Sequence, residues 1–316
     1  MIASDKRQLA LHRLGAFATA DEPLAPHTTY RIGGPAAVFA SPRSDDELRM
    51  VADVVAETGM ATLVVGRGSN MLVADEGFDG IAVSLAAMAD WITFEGTVVA
   101  AGAAVALPVL ARRCVAAGLV GFEWAVGVPG SVGGAVRMNA GGHGSDIAAC
   151  LLGARVLDLH TARDAWLRAS AFGLQFRGSR LADHQVVTEA RLQLAYGDVA
   201  EAEATLTEIV HWRREHQPGG QNAGSVFVNP IPGELPAAVL VDRLGLRGFR
   251  IGGAFVSEKH ANFIQATEGA SAADVRAVME HVRATVLEHT GLLLRSEVRL
   301  VGFSDVAETQ AVGVAL

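Results

Sequence analysis

Between Gly121 and Asp146 the chain reads GFEWAVGVPGSVGGAVRMNAGGHGSD. This segment limits the fold more than any other, because it is too rich in glycine for one regular element. Gly127, Gly130, Gly133 and Gly134 fall within eight positions, and Pro129 fixes a bend among them. Backbone without side chains can come within contact distance of a flat or phosphorylated ligand, and a plain loop seldom concentrates such residues beside apolar ones. Met138–Asn139–Ala140–Gly141–Gly142 continues the pattern. The segment therefore reads as a ligand-contacting loop held on a rigid scaffold. With 35 glycines in 316 residues and half the chain apolar, a sizeable core can surround that loop. Disorder is excluded as the main state.

The scaffold is legible on either side. Ala37 to Ala40 is a strand, Ser44–Asp45–Asp46 caps a helix through Val51, Val54 and Val55, and Ala61 to Val65 is a buried strand. Met71 to Ala74 and Ile81 to Leu85 follow as strands, a βαβ-like pattern ending near Leu85. Trp91 to Ala101 alternates as strands, and a helix from Leu107 ends at Gly118, with Pro108 in its first turn. Val156 to Leu159, Ala165 to Ala169 and Val186 to Leu194 are strands, and Glu201 to Arg214 is a helix. The polar Gln217 to Asn222 segment reads as a hinge. Beyond it come a helix at Ala237 to Leu244, a strand at Ala261 to Ala266, a long helix at Ala272 to His289 stopped by Gly291, and a strand at Glu297 to Val301. The tail is expected to dock loosely.

Charge and composition exclude several classes. A net charge of −8 gives no global pull toward nucleic acid or acidic membrane. The N-terminus, MIASDKRQLALHRLG, has no continuous apolar stretch of signal-peptide type. The apolar run Val98 to Ala111 is broken by Arg112 and Arg113, short of the roughly 18 residues a membrane span requires. A soluble cytoplasmic protein is expected. Cys114 and Cys150 cannot form a disulfide framework and read as buried and inert. The ten histidines show no metal-binding spacing, so no metal site is expected.

Three other segments carry candidate chemistry. Gly66–Arg67–Gly68–Ser69–Asn70 follows an apolar strand, and its successive amides can form either a phosphate nest or an ordinary tight turn. It is neither a Rossmann fingerprint nor a P-loop, since no Gly-Lys-Ser/Thr occurs. Tyr30–Arg31–Ile32–Gly33–Gly34–Pro35 alone reads as a turn. Asn222–Ala223–Gly224–Ser225–Val226–Phe227 has Phe where a nucleophile elbow needs Gly, so by itself Ser225 reads as a capping or turn serine.

Taken in order, these segments resemble the UDP-N-acetylenolpyruvoylglucosamine reductase family from Tyr30 to Gly302. The matching pieces are YRIGGPA, GRGSNMLVAD, GFDGIAVSL, GVPGSVGGAVRMNAGGHG, FRGS, NAGSVFVNP, LRGFRIGGAFVSEKHANFI and SEVRLVG. The short spacing from FRGS to NAGSVF is similar to the compact subtype without an inserted substrate-covering loop. The resemblance implies an α+β fold: two FAD-binding subdomains of the vanillyl-alcohol-oxidase type, 1–85 and 86–200, a C-terminal α/β substrate domain, 201–305, and a tail, 306–316. It implies non-covalent FAD, NADPH as co-substrate, a UDP-sugar substrate and a monomer.

Carried over residue by residue, the resemblance assigns FAD contacts to Tyr30, Arg31, Gly66, Arg67, Gly68, Ser69, Asn70, Gly127, Pro129, Gly130, Ser131, Gly133, Gly134, Ala135, Asn139 and Gly141. Hydride is expected to reach C3 of the enolpyruvyl ether before a proton reaches C2, so negative charge develops on the carboxylate. Arg177 matches the cation that stabilises this charge, Glu297 its partner carboxylate, and Ser225 the proton donor to C2. His216, Asn229, Arg247 and His260 fall at substrate-contact positions. The chain departs from the family at Phe176, where Tyr is usual, at His216, where a Lys typically helps bind the diphosphate, and at Val228, where Lys is common. Arg295 replaces an acidic residue, and Gly142–His143 replaces an Ala–Tyr pair. These departures leave open an oxidase or dehydrogenase of the same fold acting on another sugar or polyol, or a non-catalytic flavin-binding or nucleotide-sugar-binding protein.

Overall fold

Apolar runs that do not alternate need cover on both faces, and the first sheet of the computed structural model has it. The structure describes residues 3–231 and 233–304. Strands lie in the order Ala18–Pro23, Pro35–Ala40, Phe78–Val83, Ala61–Val64. The first pair is antiparallel and the other two pairs are parallel, with Thr62 and Val38 both opposite Ile81. Val38, Ala40, Ile81 and Val83 turn toward helices α1 (Ala3–Leu14) and α2 (Asp45–Thr58). Phe39, Leu63 and Ala82 turn the other way, onto a parallel pair formed by Met71–Val73 and Arg299–Val301. Helix α2 starts and stops where its sequence says. The Ser44 hydroxyl accepts from the Glu47 amide, and Gly59 ends the helix at φ +60°.

The second sheet is wholly antiparallel, in the order Asp164–Arg168, Leu151–Asp158, Gln185–Gln193, Val98–Gly102, Ile92–Glu95. The strands expected across Trp91 to Ala101 form a hairpin, turned at Gly96 with φ +62°. Helix α3 (Leu107–Ala116) buries Leu107, Leu110, Ala111, Cys114 and Val115. Helix α4 (Val132–Met138) lies inside the glycine-rich segment, where no regular element was expected. Its two internal glycines oppose helix formation by roughly 1 kcal/mol each. Tertiary contact compensates: a Cβ on Gly133 would lie 2.9 Å from the Ala103 Cβ, so the glycine lets the helix close onto the strand end. Both cysteines are free and buried, and burial pushes each thiol up to about 12, as inert core residues require. Helix α5 (Val199–His216) carries Ile209 into this same core, so it packs with the second sheet although it opens the chain's last third.

The third unit is a small antiparallel sheet, Arg250–Ile251, Ala254–Val256 and Ile264–Ala266, beside helices α6 (Ala237–Arg243) and α7 (Ala272–Thr290). Only Ile264–Ala266 of the expected strand at Ala261 to Ala266 is extended in the sheet. Helix α7 buries Val275, Val278, Met279, Val282 and Val286, each worth about 1.5–3 kcal/mol on burial. Its Gly291 stop matches the sequence signal, and a Ser271–Asp274 capping box starts it. Three ties mount this unit on the first one: Asp75 accepts from the Ala272 and Ala273 amides, Tyr30 donates to the Ile264 carbonyl, and Arg299–Val301 pairs with Met71–Val73. Among the described residues no helix is long and apolar enough to cross a membrane. The expected loose docking of the tail, 306–316, lies outside the described residues.

Candidate active site

The loop after strand Ala61–Val64 has the properties of an anion nest. Among the described residues, none of the five successive amides from Gly66 to Asn70 meets an acceptor. Gly68 sits at φ +56°, and a Cβ there would lie 2.1 Å from the His27 carbonyl oxygen, so no side chain fits. A Cβ on Gly66 would lie 2.7 Å from the Ser131 hydroxyl, which brings the two glycine-rich loops together. Gly66, Arg67, Ser131, Gly133, Gly134 and Arg137 line one cavity of about 340 Å³.

The 127–135 segment is less open than its composition suggests. The Val132 and Gly133 amides donate to the Val105 and Ala103 carbonyls, both at 2.9 Å, and the Gly130 carbonyl accepts from Leu107. The Ser131 hydroxyl caps α4 through the Gly134 amide. Arg213 of α5 donates to the Gly127 carbonyl, and a Cβ on Gly127 would meet His143 and Ile209 at 3.1 Å. Ala135 is buried and Pro129 is exposed. Much of this loop's glycine therefore serves close packing of backbone.

A second, larger cavity of about 1140 Å³ continues from the first, and both are lined by Arg137 and Leu181. Arg177 stands on its wall at the second corner of a tight turn closed by reciprocal Gln175–Gly178 backbone bonds. Its φ of +56° is left-handed, which costs a non-glycine residue roughly 1–2 kcal/mol. The Arg177 Nε lies 2.8 Å from the Glu297 Oε1. Burial pushes the Glu297 carboxyl above its ordinary range, and Arg177 opposes that rise. The Glu297 amide donates to the Val226 carbonyl, one residue after Ser225, and the Asn70 side chain donates to the Glu297 carbonyl. One residue thus joins the nest, the arginine and the serine segment. Ser225 lines neither cavity; it is half-buried beside Phe263, and its hydroxyl has no hydrogen-bond partner among the described residues, so it caps nothing.

Other expected contacts fare differently. Tyr30 is fully buried in the third unit's core, with its hydroxyl on the Ile264 carbonyl, so its side chain cannot reach a ligand in the cleft. Arg31 is exposed in a left-handed turn beside it. Asn139 is buried, donates to Asp146 and to the Gln175 carbonyl, and accepts from Ala148, so it holds the Arg177 turn in place. Gly141 packs its backbone against Asp146 in a two-residue hairpin. Asn229 lines the larger cavity, and its side-chain oxygen accepts from the Ala237 amide at the start of α6. His216 lines neither cavity. It is exposed at the end of α5, stacked on Trp212 at 4.6 Å and bonded to the Trp212 carbonyl. Arg247 is taken up by Asp242 and the Glu258 carbonyl, and the His260 ring accepts from the Asn262 amide; neither lines the cavity.

Three residues of the cleft went unread. Arg137 and Arg299 both pair with Asp183, the second at 2.7 Å, which fastens the second sheet to the third unit. Arg137 had a signal: Gly133, Gly134 and Arg137 share one helix face, three and four residues apart. Asp183 had none, because only the tertiary fold brings it there.

His143, His184 and His260 all titrate below the ordinary imidazole range, with burial the largest cause in each. Neighbouring cations or rings add to it: Arg213 for His143, the stacked His160 for His184, and Arg247 for His260. The unfolded chain binds these protons near pH 6.5, before the folded chain does, so stability present above about 6.5 is lost as pH falls. We expect the melting temperature to drop between pH 7 and 5.5, and His184→Gln to shallow that slope. A slope identical in parent and variant would remove His184 from the account.

Comparison with known proteins gives the same outline. Residues 35–162 match the family model of an FAD binding domain. Residues 216–301 match that of the UDP-N-acetylenolpyruvoylglucosamine reductase C-terminal domain. The chain is 43% identical to the UDP-N-acetylenolpyruvoylglucosamine reductase of Heliobacterium modesticaldum over 285 residues, covering 90% of each chain. It is 41% identical to the Bacillus subtilis protein of the same name, covering 90% of this chain and 93% of that one. Among solved structures, it is similar to UDP-N-acetylenolpyruvylglucosamine reductase from Thermus caldophilus, with a TM-score of 0.76 and 30% identity, over 90% of this chain and 98% of that chain.

Proposed function

The chain belongs to the UDP-N-acetylenolpyruvoylglucosamine reductase family of FAD-binding oxidoreductases, and from that premise we propose that it reduces the enolpyruvyl ether of UDP-N-acetylglucosamine to UDP-N-acetylmuramate, with NADPH as reductant, in peptidoglycan precursor synthesis. One observation carries the reading: the half-buried Arg177–Glu297 pair faces a cavity that runs into a nest of five amides unpartnered among the described residues.

The residues at the nest suit FAD. Its diphosphate needs several N–H donors and no carboxylate nearby, and the Gly66–Asn70 amides meet the first requirement. When bound, FAD supplies the hydride chemistry that links NADPH to the sugar. The chain's own residues do the rest in this reading. Arg177 meets the substrate carboxylate as negative charge grows there, and a fixed cation in a half-buried site is strongest at that moment. Glu297 holds the guanidinium in its strained turn. Ser225 delivers a proton to C2, which a neutral hydroxyl can do only against a strongly basic carbon and only when well placed. FAD is held without a covalent bond, so acid precipitation should leave all yellow colour in the supernatant.

The purified protein should absorb near the flavin maxima, bleach on addition of NADPH, and recover colour without oxygen when the enolpyruvyl sugar is added. Bleaching with no recovery would leave a flavoprotein of different substrate. A Gly66→Ala change tests the nest itself. The residue has an ordinary φ, and the added methyl meets only the end of the Ser131 side chain. The variant is expected to fold, at a cost of no more than the Ser131 cap of α4, about 1 kcal/mol, but to keep less FAD per chain, read from the flavin-to-protein absorbance ratio. An unchanged ratio would move the diphosphate elsewhere.

A further inference from the structure

The larger cavity is lined by four arginines, Arg137, Arg177, Arg295 and Arg299, and by two carboxylates, Asp183 and Glu297. Asp183 is shared by Arg137 and Arg299, and Glu297 is taken by Arg177. Arg295 remains. It is exposed on the cavity wall, and among the described residues no carboxylate, carbonyl or ring meets its guanidinium. A cation without a counter-charge, beside a concave surface already in positive excess, is a site for an anionic ligand. His216, the group expected to meet a diphosphate, lies outside this cavity.

We propose that Arg295 binds the diphosphate of the nucleotide-sugar substrate and so sets the enzyme's affinity for it. This rests on the reading of the site given above. The backbone supports the assignment. Phe227 and Ser296 face each other across an antiparallel bridge, and the Val228 amide donates to the Arg295 carbonyl at 2.9 Å. Val228 and Arg295 are therefore neighbours on adjoining segments, and both line the cavity. A charge can stand at either position and serve the same space. Guanidinium also suits phosphate better than ammonium, since its planar fork offers paired N–H donors.

The test is calorimetric titration of the FAD-loaded protein with UDP, with uridine and with NADP⁺, so that no turnover is needed. Arg295→Ala should weaken UDP binding about 10–100-fold while leaving uridine unchanged, because a charge-assisted contact to phosphate alone has been lost. Arg295→Lys should fall between the two. Adding Val228→Lys to Arg295→Ala should recover most of the lost UDP affinity, which a merely structural role for Arg295 would not allow. In steady state the same loss should appear in KM for the sugar, with kcat nearly constant. If the parent binds UDP and Arg295→Ala binds it equally well, the proposal fails and the reading of the site stands. Equal weakening of UDP and uridine, or weakening of NADP⁺ alone, also overturns it. A parent protein with no affinity for UDP would overturn both.

Discussion

Replacing Arg177 with alanine is expected to slow reoxidation of the reduced flavin by the enolpyruvyl sugar about 10²–10³-fold, and to slow its reduction by NADPH far less. The asymmetry follows from where charge appears. Hydride arriving at C3 of the sugar pushes negative charge toward C2 and its carboxylate, and Arg177 lines the cavity where that carboxylate would sit. NADPH carries no such carboxylate. Loss of the guanidinium also removes what opposes desolvation at Glu297, so its carboxyl moves further above the ordinary range. Glu297→Ala should therefore resemble Arg177→Ala, since an arginine in a left-handed turn loses the group that fixes its side chain. Arg177→Gly separates chemistry from folding. Glycine adopts φ +56° without strain, so this variant should melt no lower than Arg177→Ala while showing the same slow reoxidation. Stopped-flow measurement of each half-reaction decides the matter. Equal damage to both would mean that Arg177 and Glu297 merely hold the fold or the flavin.

Which parts of this site can be read from the chain depends on whether the signal is local. The caps of α2 and α7 are legible because Ser44, Gly59, Ser271 and Gly291 act within a few residues of themselves. The nest is legible for the same reason: its glycines and small polar residues follow one strand. Helix α4 is not, since its glycines argue against a helix and only Ala103 and Val105, from another segment, make one possible. The α+β class survives, with an FAD binding domain ahead of the family's C-terminal domain, because it follows from many such local signals. Contacts among distant residues do not survive in the same way. Motifs single out Arg177 and Glu297, but their 2.8 Å approach exists only because Arg299–Val301 returns to pair with Met71–Val73. Tyr30 looks like part of a binding turn, yet its apolar ring is worth more in the third unit's core. His216 looks like an anion contact, yet helix geometry turns it onto Trp212, four residues earlier on the same face. Substrate affinity should accordingly show no dependence on His216 between pH 6 and 8, and His216→Lys should leave it unchanged.

Ser225→Ala should lower turnover of the enolpyruvyl sugar about 10²–10⁴-fold, the usual effect of losing a general acid. The structure sharpens the comparison with a purely structural serine. A capping serine replaced by alanine loses about 1 kcal/mol of stability. The Ser225 hydroxyl, however, bonds to nothing among the described residues, so its removal should leave the melting temperature almost unchanged. The main chain at this position is held independently: Ser225 bridges Phe263, the Val226 amide donates to the Asn262 carbonyl, and the Val226 carbonyl accepts from Glu297. An alanine there keeps the same path and the same neighbours. A half-buried donor with no partner among the described residues, one residue from the carbonyl that accepts from the Glu297 amide, is free to give its proton to a ligand carbon. Removing it leaves water as the only source. Ser225→Cys should retain more turnover than Ser225→Ala, because a thiol is the stronger acid and stands in nearly the same place. Reduction of the flavin by NADPH should be normal in both variants, and transfer of hydride to C3 should be partly preserved. In deuterium oxide, the parent should place one solvent deuterium at C2, and the alanine variant should do so at a rate set by water. An alanine variant that holds FAD, is reduced normally and turns over the sugar at the parent rate would remove Ser225 from the chemistry.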